Sequence, residues 1–281
     1  MRANIRPVLE SLQRLYPKQL ADSKWDNTGL LVDSLSQATE DRVPKVLLTI
    51  DLTTSVCDEA LALGTDLVVA YHPFIFRGIK SISTKNPQHV SLLRLINAGV
   101  SVYSPHTAVD AGVSGNGDWL ADGITNNGQN ELRRITLNPV DVAILGQDQA
   151  GYGRQVELKE PRMLTDLVKE VKKHLSLNTV QLIRAPRHEV EPIRTVAMCA
   201  GSGGSVLGGA DADLWLTGEL GHHEMLFLKE SGVSAIVCGH SNTERGFLPV
   251  FESQLKKDLA SAGTSAELTI SRTDRDPIEY V

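Results

Sequence analysis

The sequence predicts an α/β protein with mixed sheets. Short apolar, β-branched runs alternate with segments of helical periodicity along the chain, which is typical of this fold class. In addition, the pattern of residues 99–110 returns in residues 232–244, as an apolar run followed by a histidine and, four positions later, a carboxylate. We therefore expect one domain, residues 1–281, with two internal repeats at about residues 45–124 and 195–250.

The composition indicates an ordinary globular protein. The 281 residues are 41% hydrophobic and carry a formal net charge of −6, so the chain can bury a core. No basic run resembles the footprint that phosphate backbones require, which argues against direct nucleic-acid binding. No stretch approaches the roughly 18 apolar residues of a membrane span, so we expect no membrane insertion.

Cysteine usage indicates the redox compartment. Cys57, Cys199 and Cys238 are odd in number, widely spaced and set in apolar runs. This pattern favours buried, reduced thiols inside a cell over a disulfide framework.

The first predicted element is an amphipathic helix. Apolar side chains recur at helical spacing over residues 5–15, among basic residues from Arg2 to Lys18. A basic amphipathic N-terminus is also typical of a mitochondrial presequence. Because Glu10 interrupts the basic face and no serine-rich tract follows, the sequence favours an ordinary first helix. We expect a cytoplasmic protein, with the mitochondrion as the alternative.

The chain from residue 30 through the first repeat predicts a series of strands and helices separated by polar loops. The predicted strands are residues 30–32, 45–50, 67–71 and 100–104, the helices are 55–63 and 89–98, and the loops are 33–44 and 74–88. Gly64 ends the first of these helices.

The second repeat follows a short middle segment. Strands at 155–158 and 179–183 flank a predicted helix at 163–175; the second repeat then predicts strands at 195–200 and 214–217, a helix at 222–229 and a strand from Val233. His72 and Glu219 are equivalent positions, and they are 147 residues apart. The strands that follow them in the two repeats, which begin near Val100 and Val233, are 133 residues apart. The first repeat therefore contains 14 extra residues, which we place in the loop after His72.

Histidine and carboxylate groups recur at the ends of matching strands. His106 with Asp110, and His240 with Glu244, are each separated by one helical turn and can face one point. One such pair is more often a capping or core feature, but two at matching positions favour a metal site. His240 with Glu244, and Asp110 with His72, which a proline fixes at its strand end, suggest the ligands of a catalytic divalent ion.

The ligand types are compatible with one metal or with a bridged pair. Two ions roughly 3.5–4 Å apart would activate a water for hydrolysis. Histidine with carboxylate accommodates zinc, iron, manganese or nickel, so the sequence does not identify the metal.

A glycine-rich segment and the start of a helix are further candidates. Gly201, Ser202 and Gly203 follow a strand, where backbone N–H groups can bind an anion, although a simple tight turn is an equal alternative. His222 and His223 begin the next helix. Since adjacent side chains point to different sides, only one of them can face a cluster.

Motifs along almost the whole chain resemble one known family. They are Trp25–Leu30, Tyr71–Pro73, His106–Asp110, Asp118–Leu120, Gly201–Gly203, Thr217–Glu219 with His223, and Gly239–His240 with Thr243–Glu244. Together they resemble the NGG-one-interacting factor three family, whose members are also labelled GTP cyclohydrolase 1 type 2 homologues.

The resemblance implies two intertwined repeats, toroidal hexamers and a dinuclear metal centre. The residues implied as metal ligands are His72, Asp110, His240 and Glu244. Those implied beside the metals, in proton transfer, are His106 and His223, with Glu219 orienting them. Those expected to contact a substrate are Glu219, Gly201, Ser202 and Gly203. Trp25 and Asp26 are implied as structural or pocket-lining residues.

One residue departs from the bacterial pattern of the family. Bacterial members carry His-His-Pro where this chain has Tyr71-His72-Pro73, and eukaryotic members resemble this variant. A neutral phenol is a poor ligand for a divalent metal, so we expect the affinity for a second metal to be reduced.

Two functions fit these expectations. The first is a metal-dependent hydrolase, resembling GTP cyclohydrolase 1 type 2, that uses metal-activated water on a small nucleotide or heterocyclic substrate. The second is an oligomeric metal-binding regulatory or scaffold protein that binds partner proteins without turnover. The duplicated histidine and carboxylate pattern favours the first, and Tyr71 favours the second.

Overall fold

The computed structural model describes residues 4–35, 42–141, 143–144 and 146–279. Arg2 and residues 36–41 of the predicted 33–44 loop lie outside the described residues. The predicted α/β class is confirmed, with helices alternating with the strands of two mixed sheets.

The elements are numbered here in chain order. The strands are β1 Gly29–Val32, β2 Lys45–Thr49, β3 Leu67–Ala70, β4 Ser101–Ser104, β5 Glu131–Pro139, β6 Gly151–Arg162, β7 Gln181–Ile183, β8 Ile193–Ser202, β9 Leu214–Glu219, β10 Ser234–Val237 and β11 Glu267–Ile270. The helices are α1 Arg6–Leu15, α2 Thr54–Leu63, α3 Pro87–Asn97, α4 Thr107–Ala111, α5 Asn116–Thr125, α6 Leu164–His174, α7 Gly204–Leu207, α8 His222–Glu230, α9 Asn242–Arg245 and α10 Leu248–Ser261.

The chain forms two compact units. The first contains Met1–Val109 and Leu248–Val281, and the second contains Asp110–Phe247. In the described residues, no helix has the length and apolar character needed to cross a membrane.

The first unit is built on a five-stranded sheet in the order β1-β4-β3-β2-β11. β2, β3 and β4 run parallel, while β1 is antiparallel to β4. The Thr53 side chain caps α2, and Gly64, with a φ of +62°, ends it in the left-handed conformation that glycine adopts without strain. The apolar faces of α2, α3 and the sheet form one core.

The second unit is built on a six-stranded sheet in the order β5-β6-β8-β9-β10-β7. β8, β9 and β10 are parallel, and β5, β6 and β7 are attached antiparallel. Leucine and valine side chains of α5, α6 and the sheet fill its main core. This arrangement brings the carboxyl ends of β8, β9 and β10 to one edge of the sheet.

The registers of the two sheets match residue by residue. Leu67 lies opposite Ser101 in the first sheet, and Leu214 lies opposite Ser234 in the second. These are the offsets of 147 and 133 residues that the sequence predicted. The order β1-β4-β3-β2 corresponds to β7-β10-β9-β8, so the structural repeat includes the antiparallel edge strand.

An aspartate directly before the third strand of each repeat makes the same backbone contact in both. Asp66 accepts a hydrogen bond from the Lys45 backbone at 2.9 Å. Asp213 accepts the corresponding bond from the Thr195 backbone at 3.0 Å. Each carboxylate therefore satisfies backbone donors where its sheet begins.

The structure differs from the sequence prediction at several elements. α3 begins at Pro87, before the predicted His89, because the Asn86 side chain caps the helix and proline suits its first turn. The prediction missed α5, β5, α10 and β11. β5 is a partly exposed strand with weak alternation, but α10 has a recognisable helical spacing of Leu248, Phe251, Leu255 and Leu259.

Candidate metal centre

The second unit places two predicted metal ligands side by side where β10 ends. The chain turns at Gly239, whose φ is +89°, and α9 then carries Glu244 one turn beyond His240. His240 Nε2 lies 3.6 Å from Glu244 Oε1. Two ligands of a tetrahedral Zn²⁺ ion, each at about 2.1 Å from it, would be about 3.4 Å apart. The pair could therefore hold one divalent ion.

Glu219 fixes the orientation of the His240 ring. Its Oε1 lies 2.7 Å from His240 Nδ1, and the carboxylate comes from the last residue of β9. Since Nδ1 is engaged by the carboxylate, Nε2 is the nitrogen suited to a metal. Histidine ligands of metals are commonly oriented by a carboxylate in this way.

Buried negative charge surrounds the same place. The Glu244 side chain is only 3% exposed. Burial raises the pKa of the Cys199 thiol, and the charges of Asp110 and Glu244 raise it further. Asp110 and Glu244 thus concentrate negative charge near one position, where a bound cation would offset it.

Gly201 leaves space beside the two ligand atoms. A Cβ at this position would be 2.9 Å from His240 Nε2 and 3.2 Å from Glu244 Oε1. The φ of Gly201 is also positive, at +60°. The imidazole and carboxylate donors fit a bound metal ion. Glycine at residue 201 leaves room for the ion, because any side chain there would lie against His240 and Glu244.

Two buried threonines fix the backbone of the glycine-rich segment. Thr243 Oγ1 accepts from the Gly201 N–H at 2.9 Å and donates to the His240 carbonyl at 2.7 Å. Thr217 Oγ1 accepts from the Gly203 N–H at 3.1 Å. Both glycine N–H groups are therefore used inside the protein, which favours the tight turn over the anion-binding alternative. Substrate contacts by Gly201, Ser202, Gly203 and Glu219 stay a prediction.

The first unit places His72 just after β3. Its backbone N–H donates to the Ile50 carbonyl at 3.1 Å, and its Nδ1 lies 2.9 Å from Asp51 Oδ1. Asp51 follows β2, the parallel neighbour of β3. His72 therefore has the same arrangement as His240, with a carboxylate on Nδ1 and Nε2 as the nitrogen suited to a metal.

His106 is held in a strained conformation at the end of β4. Its φ is +38°, a region that costs a residue with a side chain roughly 1–2 kcal/mol. Its Nδ1 lies 2.6 Å from Oδ1 of Asp26, whose side chain is fully buried. Strain of this kind is concentrated at functional sites, so it supports a chemical role for His106.

Asp26 is ionised by its surroundings. Burial alone would raise the pKa of this carboxyl, but hydrogen bonds from His106 and Thr107 outweigh burial and leave the pKa below its usual value. The Asp26 carboxylate can therefore orient the His106 ring through Nδ1.

The two histidine and carboxylate pairs are not equivalent in the structural repeat. The His106 N–H donates to the Tyr71 carbonyl, and the Gly239 N–H donates to the Gly218 carbonyl. His106 therefore corresponds to Gly239, and the sequence alignment of His106 with His240 is wrong by one residue. Both equivalent positions require a positive φ, which the second repeat provides with glycine.

Tyr71 is buried beside the histidines of the first unit. Its ring lies edge-on to His72 at 5.5 Å and to His106 at 6.4 Å between centroids. The Tyr71 ring therefore packs against both imidazole rings.

His222 and His223 begin α8 and are exposed. Among the described residues they contact each other at 5.5 Å and make no hydrogen bond. Glu224 accepts from the Gly221 N–H at 2.6 Å and caps the helix. A catalytic role for His223 stays a prediction.

Sequence reasoning missed Asp51, the partner of His72. A signal was available, because Asp51 comes directly after a predicted strand parallel to the one that ends at His72. The carboxyl ends of parallel neighbouring strands meet at one edge of a sheet.

Comparison with known proteins finds similarity over almost the whole chain. A sequence model of Duf34/NIF3 (NGG1p interacting factor 3) matches residues 3–277. The NIF3 homolog of Schizosaccharomyces pombe is 45% identical over 280 residues, covering 99% of this chain and 98% of the relative. The NGG1-interacting factor 3 of Saccharomyces cerevisiae is 43% identical over 287 residues, covering 99% and 97%. The crystal structure of a Bacillus cereus protein related to NIF3 has a TM-score of 0.83 at 19% identity, covering 98% of each chain.

Proposed function

The chain belongs to the Duf34/NIF3 family, and we propose that it acts as a metal-dependent hydrolase of a small nucleotide or heterocyclic substrate. The observation that carries this proposal is the space at Gly201, which lies against both His240 Nε2 and Glu244 Oε1. Because a Cβ there would be only 2.9 Å from His240 Nε2, glycine at residue 201 keeps side-chain atoms away from both ligand atoms.

The proposed ligands are those that the sequence motifs imply. The second unit contributes His240, Glu244 and Asp110, and the sequence motif adds His72. The orienting carboxylates Glu219 and Asp51 support the two histidines, because each is bound to Nδ1. A second metal is proposed from the family resemblance, with zinc, iron, manganese and nickel as candidate ions.

The chemistry follows from the ligand set. When bound, the ion would supply Lewis-acid activation of water for hydrolysis. His106 would accept or return a proton at Nε2, since its Nδ1 is bound to Asp26. We propose the same type of role for His223.

The test is elemental analysis of protein purified without chelator. We expect at least one metal ion per chain in the natural sequence and a loss of at least tenfold in affinity in His240→Ala and Glu244→Gln. His222→Ala and Glu230→Gln are matched controls, because both side chains are exposed on α8. Full loading of the His240→Ala variant would contradict the ligand assignment.

The metal content of the Tyr71→His variant distinguishes a centre that holds one metal ion from a centre that holds two. Close to two ions in the natural protein would support a working dinuclear centre and a substrate screen that starts with GTP. One ion or none, increasing toward two only in Tyr71→His, would favour the second function below.

The second candidate function is an oligomeric metal-binding regulatory protein. It is supported by the name of the Saccharomyces cerevisiae relative, an interacting factor, and by Tyr71 in place of a histidine. Under this proposal, metal removal dissociates or destabilises the assembly, and no small molecule is turned over. Metal-dependent turnover by protein that stays assembled after chelation would exclude it.

Assembly and location are also proposed. We propose a homo-hexamer from the family resemblance, with protein partners as an extension of the second function. A cytoplasmic location is proposed, with the mitochondrion as the alternative. Mass measurement in solution and localisation of a tagged chain test these points directly.

A further inference from the structure

Two large aromatic side chains are exposed beside His106 in the first unit. Trp25 is 53% exposed and Phe76 is 47% exposed. Their rings are 6.0 Å apart, and they lie edge-on to the His106 ring at 5.6 and 6.4 Å. Aromatic side chains of this size are usually buried, so an exposed pair at a candidate catalytic histidine indicates a binding surface.

The backbone around this aromatic pair is fixed in place. The Asn27 side chain donates to the Ile75 carbonyl, which ties the Trp25 turn to the segment that carries Phe76. Gln88 Nε2 donates to the Phe74 carbonyl at 2.6 Å on the other side of the same segment. The aromatic surface is therefore preorganised, which reduces the entropy cost of binding a ligand.

Two cations follow the aromatic segment. Arg77 and Lys80 are exposed and form no ion pair within the described ranges of the chain. They line a cleft of ≈ 500 Å³ together with Phe74, Phe76, Gln88 and His89. In a chain with a net charge of −6, two cations without acidic partners beside an aromatic surface favour an anionic ligand.

We propose that Trp25 and Phe76 bind the planar ring of an aromatic anion, and that Arg77 and Lys80 bind its negatively charged group. The size of the cleft and the combination of stacking with two cations suit a nucleoside monophosphate. The inference rests on the proposed function at one point, where it takes this ligand to be the substrate. Trp25 and Phe76 then determine which ring the protein accepts.

Tryptophan fluorescence of metal-free protein tests the proposal. Trp25 is the exposed member of three tryptophans, since Trp119 is partly buried and Trp215 is buried. Titration with a purine nucleoside monophosphate is expected to give saturable quenching in the natural sequence and none in Trp25→Phe. Calorimetry is expected to show that the Trp25→Ala variant binds the nucleotide about tenfold more weakly than the natural sequence. The same loss is expected for the double variant that carries Arg77→Ala and Lys80→Ala.

Simpler probes separate the two parts of the ligand. Ribose 5-phosphate and the uncharged nucleoside are each expected to bind at least tenfold more weakly than the nucleotide. Phe227→Ala and Lys229→Ala are matched controls, because both residues are exposed on α8 of the other unit. Equal affinity for ribose 5-phosphate and nucleotide, unchanged affinity in Trp25→Ala, or no binding at all would overturn the proposal.

Measuring the metal content of the same preparations distinguishes failure of this proposal from failure of the proposed function. Loss of nucleotide binding in a fully metal-loaded Trp25→Ala variant is the expected result. A natural protein that binds nucleotide but takes up no metal would contradict the hydrolase and leave the aromatic site supported.

Discussion

At the residue scale, Gly201 tests the metal centre most directly. Gly201→Ala would place a Cβ against His240 Nε2 and Glu244 Oε1, so we expect loss of bound metal. The positive φ adds a stability cost of about 1 kcal/mol. The matched control is Gly64→Ala, which has a φ of +62° and nothing within 4 Å of the added Cβ. Elemental analysis and urea unfolding should show similar destabilisation of both variants but metal loss only in Gly201→Ala.

Substitutions at His106 distinguish the cost of its backbone conformation from the contribution of its side chain. His106→Gly and His106→Ala both remove the contact with Asp26, but only alanine retains the cost of the positive φ. We therefore expect His106→Gly to be more stable than His106→Ala by about 1 kcal/mol in urea unfolding. Equal stability of the two variants would show that the backbone at residue 106 is not strained.

At the scale of elements, one buried arginine joins β6, α5 and the segment after α4. Arg154 is 2% exposed and donates to Asp118 Oδ1 at 2.8 Å, to the Gly151 carbonyl at 2.7 Å and to the Gly112 carbonyl at 3.4 Å. Because Gly112 is two residues beyond Asp110, this clamp also positions a proposed metal ligand.

Removal of the clamp should be costly. Arg154→Met leaves Asp118 and the carbonyls without their donor, so we expect a destabilisation of about 3 kcal/mol in urea unfolding. Arg154→Lys should recover only part of this loss, because an ammonium cannot reproduce the planar set of five donors. A loss below about 0.5 kcal/mol in Arg154→Met, typical of a surface site, would contradict the clamp.

The same clamp predicts a pH dependence. Burial raises the pKa of Asp118, but hydrogen bonds and charges from Arg154, Ser114 and Arg134 outweigh burial and lower the pKa below its usual value. Asp118 therefore stabilises the folded state above its unfolded pKa of about 3.9, and this stabilisation is lost as the pH falls through the lower folded value. The stability difference between the natural protein and Asp118→Asn should shrink below about pH 4, whereas exposed Asp148→Asn should show no such trend.

At the scale of the whole molecule, the two repeats keep one sheet arrangement but have different functional residues. Equivalent strands share their register, and Asp66 and Asp213 make the same backbone contact. The turn after the third parallel strand carries His106 in one repeat and Gly239 in the other. The repeats therefore share the backbone requirements and diverge in side-chain chemistry.

Metal binding should stabilise the chain as a whole. At an ion concentration 100 times the dissociation constant, binding to the folded state contributes about 2.7 kcal/mol, which raises the Tm by about 5 °C or more in a chain of this size. Thermal unfolding with zinc and then with excess chelator should show this shift in the natural protein and not in His240→Ala. A Tm that does not respond to metal in either protein would contradict the proposed site.

The sequence by itself determined the α/β class, the internal repeat, its offsets and the residue types of the candidate metal site. These features are local, because strand and helix periodicity and the motifs can be recognised over a few residues. The offsets of 147 and 133 residues agree with the observed strand registers.

Only the tertiary structure decided which side chains meet. It showed that His106 corresponds to Gly239, that Asp51 holds His72, and that Gly201 lies against His240 and Glu244. A shift of one residue at a turn changes the direction of a side chain without changing the pattern of residue types. Sequence periodicity therefore predicts the elements, whereas the contacts of the site depend on backbone direction where those elements end.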